Sequence, residues 1–161
     1  TERSCFMSDN LKGWLYVAVQ FILLILIVLS SAYEFKYYNR PLMPAVHYIG
    51  VTFILIAAMM FSVILISFGQ IMTPNPVPRS KAVLKTTGFY ALVRHPMYFT
   101  VLVLMLGVIL YFQAFYSLLW LPVLLFFFIL KSSMEEKFLM LKFPEYKEYS
   151  SRVKRIFPFI Y

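Results

Sequence analysis

The chain has 161 residues, 61% of them hydrophobic and only 14% charged, and its 15 Lys and Arg against 7 Asp and Glu give a net charge of +8. Soluble domains run at roughly 45–50% apolar and 25% charged, so this composition excludes an ordinary water-soluble protein and marks a polytopic integral membrane protein. The lone cysteine, Cys5, rules out an internal disulfide, and with only His47 and His95 no metal site is expected.

Residues 1–12 read as a short polar lead. Residues 13–33 form the first predicted span, with Trp14, Tyr16 and Tyr33 as interfacial anchors and Gln20 as its one strongly polar interior residue, placed to bond a neighbouring helix. This run is too long for a signal peptide and is expected to be retained. A polar linker over 34–44 is broken by Pro41 and Pro44. Residues 45–68 form the second span, with His47 near its start as a solvated interface residue. Residues 69–95 are the longest non-apolar segment. Pro74, Pro76 and Pro78 hold its first part extended, and Arg79, Lys81, Lys85 and Arg94 follow without an acidic residue.

Two runs of about 17 residues, 96–112 and 114–130, are joined around Gln113, which predicts a tight antiparallel hairpin in which Pro122 kinks the fourth helix. Residues 131–161 form a charged amphipathic tail. Pro144 ends one short helix there, and Tyr146, Tyr149 and Val153 share one face of the next. The predicted fold is therefore all-α, one membrane domain over 1–161. It has four transmembrane helices including a C-terminal helical hairpin, plus a cytoplasmic amphipathic tail. Of the Lys and Arg outside the spans, 13 fall on the side of the lead, the long loop and the tail, and 2 on the other. The positive-inside rule then places both termini in the cytoplasm, and the basic charge reads as contact with anionic lipid rather than with nucleic acid.

This topology brings the segment from Leu84 to His95, the end of the fourth helix at Glu135-Glu136, and the tail to one cytoplasmic face. The start of the third helix, at His95-Pro96, offers free N–H groups that suit an anion. The glutamates beside it suit a cation, so together the two sites suit an amino-acid zwitterion. Adjacent helix positions point about 100° apart, so one glutamate is expected to face the pocket. The plainer alternatives are a solvated glutamate pair neutralised by Lys131 and Lys137, and headgroup contact for Arg94 and His95.

Gly88-Phe89-Tyr90, then Val93-Arg94-His95-Pro96-Met97-Tyr98, then Glu135-Glu136 after two spans, resembles the isoprenylcysteine carboxyl methyltransferase family, whose broad plan the membrane phospholipid methyltransferases share. The tail from Phe143-Pro144-Glu145-Tyr146 through Arg152-Val153 to Phe157-Pro158-Phe159-Ile160 is similar to the C-terminus of that family. The resemblance implies an S-adenosyl-L-methionine-dependent methyltransferase whose cofactor is held by the last helices and the tail. In agreement, no Gly-x-Gly-x-x-Gly of a soluble cofactor domain is present. It carries cofactor contact onto Arg94, His95, Pro96, Tyr98, Glu135 and Glu136, with Tyr90, Tyr146 and Tyr149 lining an adenosine pocket.

Two positions depart from the pattern. Thr100 stands where the family usually has glycine, and Lys131 where the isoprenylcysteine enzymes carry arginines that face a carboxylate. Methyl transfer needs alignment and exclusion of water, and an amine or thiol acceptor also needs a base. His95, Glu136 and Lys131 are the candidates for a catalytic role, and the sequence does not choose among them. The implied partner is a lipophilic small molecule, a prenyl or lipid substrate, arriving from the bilayer. The rival readings are a phospholipid amine N-methyltransferase and a non-catalytic membrane protein that binds anionic lipid. A channel or transporter has little to line its path, because no charge lies inside a predicted span.

Overall fold

A computed structural model describes residues 2–38, 41–68, 83–158 and 160, with side chains described from residue 10 onward apart from that of Phe68. Among these residues five α-helices follow one another: α1 (Glu2–Tyr37), α2 (Pro44–Phe68), α3 (Pro96–Tyr111), α4 (Trp120–Lys142) and α5 (Tyr146–Arg152). Among the described residues there is no strand, only an isolated parallel bridge between Val93 and Lys154. Among the described residues, three stretches are long and apolar enough to cross a bilayer: Asn10–Tyr37, Pro44–Ser67 and Tyr116–Lys142. Helix α3 has 16 residues, so it reaches about 24 Å, short of a hydrocarbon core of about 30 Å.

Proline and the apolar runs set the helix limits. Pro44 and Pro96 each open a helix, where a missing N–H costs nothing because first-turn donors have no intrahelical partner. Pro122 does not kink α4 as expected. It is the third residue of that helix, inside the first turn, because residues 116–119 form a separate 3-10 turn before it. The hairpin connection is accordingly longer than a join at Gln113. Gln113 itself adopts a φ of 53° in this turn.

Other limits differ as well. Helix α1 begins at Glu2 and runs to Tyr37, absorbing both the predicted polar lead and the start of the predicted linker. Helix α4 does not stop near residue 130. Nothing between Lys131 and Lys142 breaks a helix, so the short helix expected before Pro144 is the continuous end of α4. The expectations for Pro74, Pro76, Pro78, Arg79 and Lys81 fall outside the described residues. Lys85 is described, and its ammonium donates to the Ser67 carbonyl, closing the C-terminal end of α2.

The core is formed by Ile27 of α1, Leu102, Met105 and Ile109 of α3, and Leu124, Phe127 and Phe128 of α4, with Ile156 of the C-terminal segment. Helices α2 and α3 approach through glycine. A Cβ at Gly50 would collide with the Tyr111 nitrogen, and one at Gly107 would lie 2.9 Å from the Ile54 nitrogen. Small residues at such a crossing let dispersion act between backbones, which matters where lipid removes the hydrophobic drive for helix pairing. The crossing is pinned at one end. Gln113 accepts from the Met43 N–H at 3.0 Å and donates to its carbonyl at 3.2 Å. His47 Nδ1, expected to be solvated, lies 3.0 Å from the Tyr111 carbonyl oxygen in a half-buried position.

The Gly50 contact is with backbone atoms that cannot turn aside. Gly50→Ala should therefore cost about 1–3 kcal/mol, the usual range for overpacking. The midpoint of an SDS titration in mixed micelles, followed by circular dichroism, checks this; an unchanged midpoint would mean that α2 and α3 are not in backbone contact.

Candidate functional site

The polar side chains gather where α3 begins. Gly88, at a φ of 64°, opens a 3-10 turn over Gly88–Ala91. The chain beyond this turn is held by the C-terminal segment, since the Arg94 N–H donates to the Lys154 carbonyl at 2.8 Å and the His95 N–H to the Arg155 carbonyl at 2.9 Å. These two bonds fix His95 at the N-cap of α3 with its imidazole turned into the bundle, where it is buried.

Both glutamates meet His95. His95 Nε2 lies 3.0 Å from Glu136 Oε1, and Nδ1 lies 3.4 Å from Glu135 Oε2. The expectation that one glutamate faces the site is corrected. The imidazole projects between the two carboxylates, and its two ring nitrogens bridge the angle between adjacent helix positions. A second correction concerns their place on the helix. Glu135 and Glu136 are not at the end of α4, which continues to Lys142, so terminal carbonyls do not contribute beside them.

Glu136 is the most heavily bonded group in the cluster. Beyond His95, it lies 3.2 Å from Arg94 Nε and accepts from Arg155 Nη2 at 2.8 Å. Arg155 also donates to Ser133 at 3.1 Å, and Arg94 to the Ser150 carbonyl at 2.9 Å. Glu135 is half-buried and accepts from the Tyr98 hydroxyl at 2.8 Å. The rings of His95 and Tyr98 stack within 4° of parallel at 5.1 Å, and Tyr98 stacks on Phe128 within 5° at 4.7 Å, so the imidazole heads a column of three aromatic rings.

The structure brings Arg94, His95, Tyr98, Glu135 and Glu136 together, with buried Pro96 beneath them. Tyr90, Tyr146 and Tyr149 adjoin this group. The Tyr149 hydroxyl donates to the Tyr90 carbonyl, and the Tyr146 and Tyr149 rings meet edge-on at 5.7 Å. Burial pushes all three phenols up, that of Tyr149 to about 12, so none ionises near neutral pH. The Tyr146 hydroxyl is buried and has no hydrogen-bond partner among the described residues.

Lys131 is not in a tail at all. It is buried in α4, donates to Gln20 of α1, and holds its ammonium 5.4 Å from the centre of the Tyr98 ring. Gln20 thus bonds a neighbouring helix as expected. Thr100 is buried and donates to the Pro96 carbonyl at 2.9 Å, satisfying itself within its own helix, while the close glycine approaches lie at Gly50 and Gly107. Sequence reasoning missed Arg155 because its place depends on the long-range pairing of residues 93–95 with 154–155, which no local period announces. It also missed Glu34, which is buried and accepts from the backbone N–H groups of Tyr116 and Ser117, both at 3.1 Å.

Fold and site together define an integral membrane protein with an ionic cluster walled by aromatic rings at one end of its helices. Residues 45–145 match the model of the phospholipid methyltransferase family, and the chain belongs to that family, whose members are membrane methyltransferases acting on lipids. The matched residues run from α2 to the end of α4 and include every ionic partner above except Arg155. No curated protein and no solved structure matches the chain.

Burial works against the charged form of His95, but its bonds to Glu135 and Glu136 outweigh that and hold its pKa above the ordinary 6.5. A raised pKa contributes stability that is complete below the unfolded value and lost as pH rises through the folded one. The stability advantage of the wild type over His95→Gln should therefore be greatest below about pH 6.5, shrink as pH rises from there to the raised value, and be lost above it. Unfolding of both proteins in micelles across that range checks it, and a pH-independent difference would refute an imidazolium between the carboxylates. Glu136→Gln should cost about 3–5 kcal/mol in the same unfolding measurement, because it leaves the buried His95 and the half-buried Arg94 and Arg155 with less compensation.

Proposed function

We propose that the chain is one membrane domain that binds S-adenosyl-L-methionine at the ionic cluster and methylates a lipophilic acceptor arriving from the bilayer. The observation that carries this reading is the bridge from His95 to both Glu135 and Glu136, flanked by Arg94 and Arg155. Two carboxylates within reach of an imidazole and two guanidiniums are a donor set for a zwitterion. The buried Tyr146 hydroxyl without a partner among the described residues is the kind of group that a ligand satisfies. The donor set fits the cofactor.

On this reading Arg94, His95 and Arg155 hold the carboxylate of the cofactor, and Glu135 and Glu136 hold its ammonium. Tyr90, Tyr146 and Tyr149 wall the adenosine, and Pro96 and Tyr98 form the base of the site. When bound, the cofactor supplies an electrophilic methyl group. The residues of the chain align donor and acceptor and keep water out, the main contributions that such a displacement requires. An amine acceptor must also lose its proton, and the two glutamates are the groups at hand to take it. Lys131, tied to Gln20, orients Tyr98 from below. The distribution of basic residues supports a cytoplasmic location for this end of the bundle and for both termini, with α3 as a short fourth span.

The family match supports a phospholipid amine as acceptor. A prenylcysteine carboxylate is the second reading, supported by the motif and tail resemblance. Transfer of labelled methyl to phosphatidylethanolamine or to a farnesylcysteine compound separates the two.

Glu135 is partly exposed, so Glu135→Gln should fold and yet weaken cofactor binding about 10–100-fold, the scale of one charged hydrogen bond. Titration calorimetry in micelles measures it. Wild-type affinity in this variant and in His95→Gln would remove the cluster from the cofactor site.

A further inference from the structure

The outward side of α4 does not change character where the ionic cluster begins. Leu119, Val123, Phe126, Leu130, Lys137 and Leu141 recur at helical spacing and form one row along the helix. All are exposed, Leu119 by 74%, Phe126 by 63% and Leu141 by 84%. Leu124, Phe128, Lys131 and Glu135 fall on the opposite side, toward the core and the cluster. A single exposed leucine beyond a lysine is ordinary on a surface in water. Leu141, however, extends a row that is already the outward face of a spanning stretch, Tyr116–Lys142, and Met140 beside it is exposed as well.

Two lengths bear on the depth of the cluster. From Leu119 to Leu141 the row rises about 33 Å, enough for a hydrocarbon core of about 30 Å. Glu135 and Glu136 lie only about 24–26 Å along it. Helix α3 joins α4 at the far end of the bundle, and its 16 residues cover about 24 Å from there to His95, the other half of the cluster. A bilayer thinned to fit α3 leaves Leu141 in water. A bilayer that covers Leu141 leaves the start of α3 beneath its surface. The exposed Leu141 and Met140 side chains favour the second arrangement, because apolar surface gains from leaving water.

We propose that the last turns of α4, from Lys137 to Leu141, are immersed in the adjoining leaflet, and that the ionic cluster is sunk to the depth of the lipid headgroups. The partner of this surface is the bilayer itself. Acyl chains meet Leu141 and Met140, while Lys137 lays its apolar stem along them and sends its ammonium to the phosphates. The inference does not need the methyl-transfer reading and survives a cluster that binds no cofactor. Where that reading also holds, an acceptor headgroup reaches the cluster with its chains still in the bilayer.

Replacing the lone cysteine, Cys5→Ser, clears the chain for one nitroxide label at a time. The labelled variants are Leu130→Cys, Lys137→Cys, Leu141→Cys and, on α5, Lys147→Cys. All four positions are exposed, so the label is not forced into the packing. Each protein is placed in nanodiscs of phosphatidylcholine and phosphatidylglycerol, and power saturation with oxygen and with a water-soluble nickel chelate reads the depth of the label. A lipid carrying the nitroxide on its headgroup gives the reference level. The label at residue 130 should read deepest, that at 137 below the reference, that at 141 level with it, and that at 147 in water. Nickel access at 137 or 141 equal to that at 147 overturns the immersion. A label at 137 shallower than the reference overturns the depth assigned to the cluster.

Discussion

The buried carboxylate of Glu136 is the interaction on which the functional end of this molecule depends. It draws on three separate parts of the chain: Arg94 and His95 before α3, its own helix α4, and Arg155 in the C-terminal segment. An ionised carboxylate in so dry a place is tolerable only when its lone pairs are satisfied by charged donors. That requirement works in reverse as a constraint on the fold. The C-terminal segment cannot drift from α4 without uncovering a buried charge, and the backbone bonds from Arg94 and His95 to residues 154 and 155 tie the start of α3 to the same point. What fixes the end of the chain is therefore electrostatic, although most of the protein is held by apolar packing.

The broad plan was legible because its causes are local. The apolar runs of α2 and α3 are continuous and bounded by proline, and both helices begin within a residue of the expected limits. The juxtaposition of His95 with the paired glutamates also follows from sequence, since two consecutive antiparallel helices must return one end to the other. The errors have one physical source. Whether a polar residue ends a helix depends on what it meets, and Lys131, Glu135 and Glu136 each meet a partner on another helix or at its entrance. With those partners, α4 carries its charges inside a continuous helix. Without them, the same residues read as the start of a solvated tail. Arg155 and Glu34 were invisible for the same reason, since each is placed by residues more than one element away.

The two ends of the bundle solve one problem in different ways. Where α4 begins, the free N–H groups of Tyr116 and Ser117 are met by the carboxylate of Glu34 from α1, an anion against the positive end of a helix. Where α3 begins, the corresponding position is taken by a cation-favouring imidazole, His95, and the anions come from the neighbouring helix instead. A positive group at a helix N-terminus is unfavourable by itself. It is held there by two carboxylates, and the cluster of cations about Glu136 is correspondingly richer in positive charge than local neutrality requires.

That excess has a structural consequence for the interior. His95 does not end in the ionic cluster but stacks on Tyr98, which stacks on Phe128 among the core side chains, and the buried Lys131 ammonium lies off the same Tyr98 ring. The Tyr98 hydroxyl meanwhile bonds Glu135. One aromatic ring thus answers to a carboxylate at its edge, an imidazole on its face and an ammonium beside it, so a change in charge at the surface of the cluster bears on packing two layers down. Close-packed rings slide only at the expense of their contacts, so the column ties the position of His95 to that of Phe128 in α4. The ionic cluster and the apolar core are accordingly one mechanical unit joined through Tyr98.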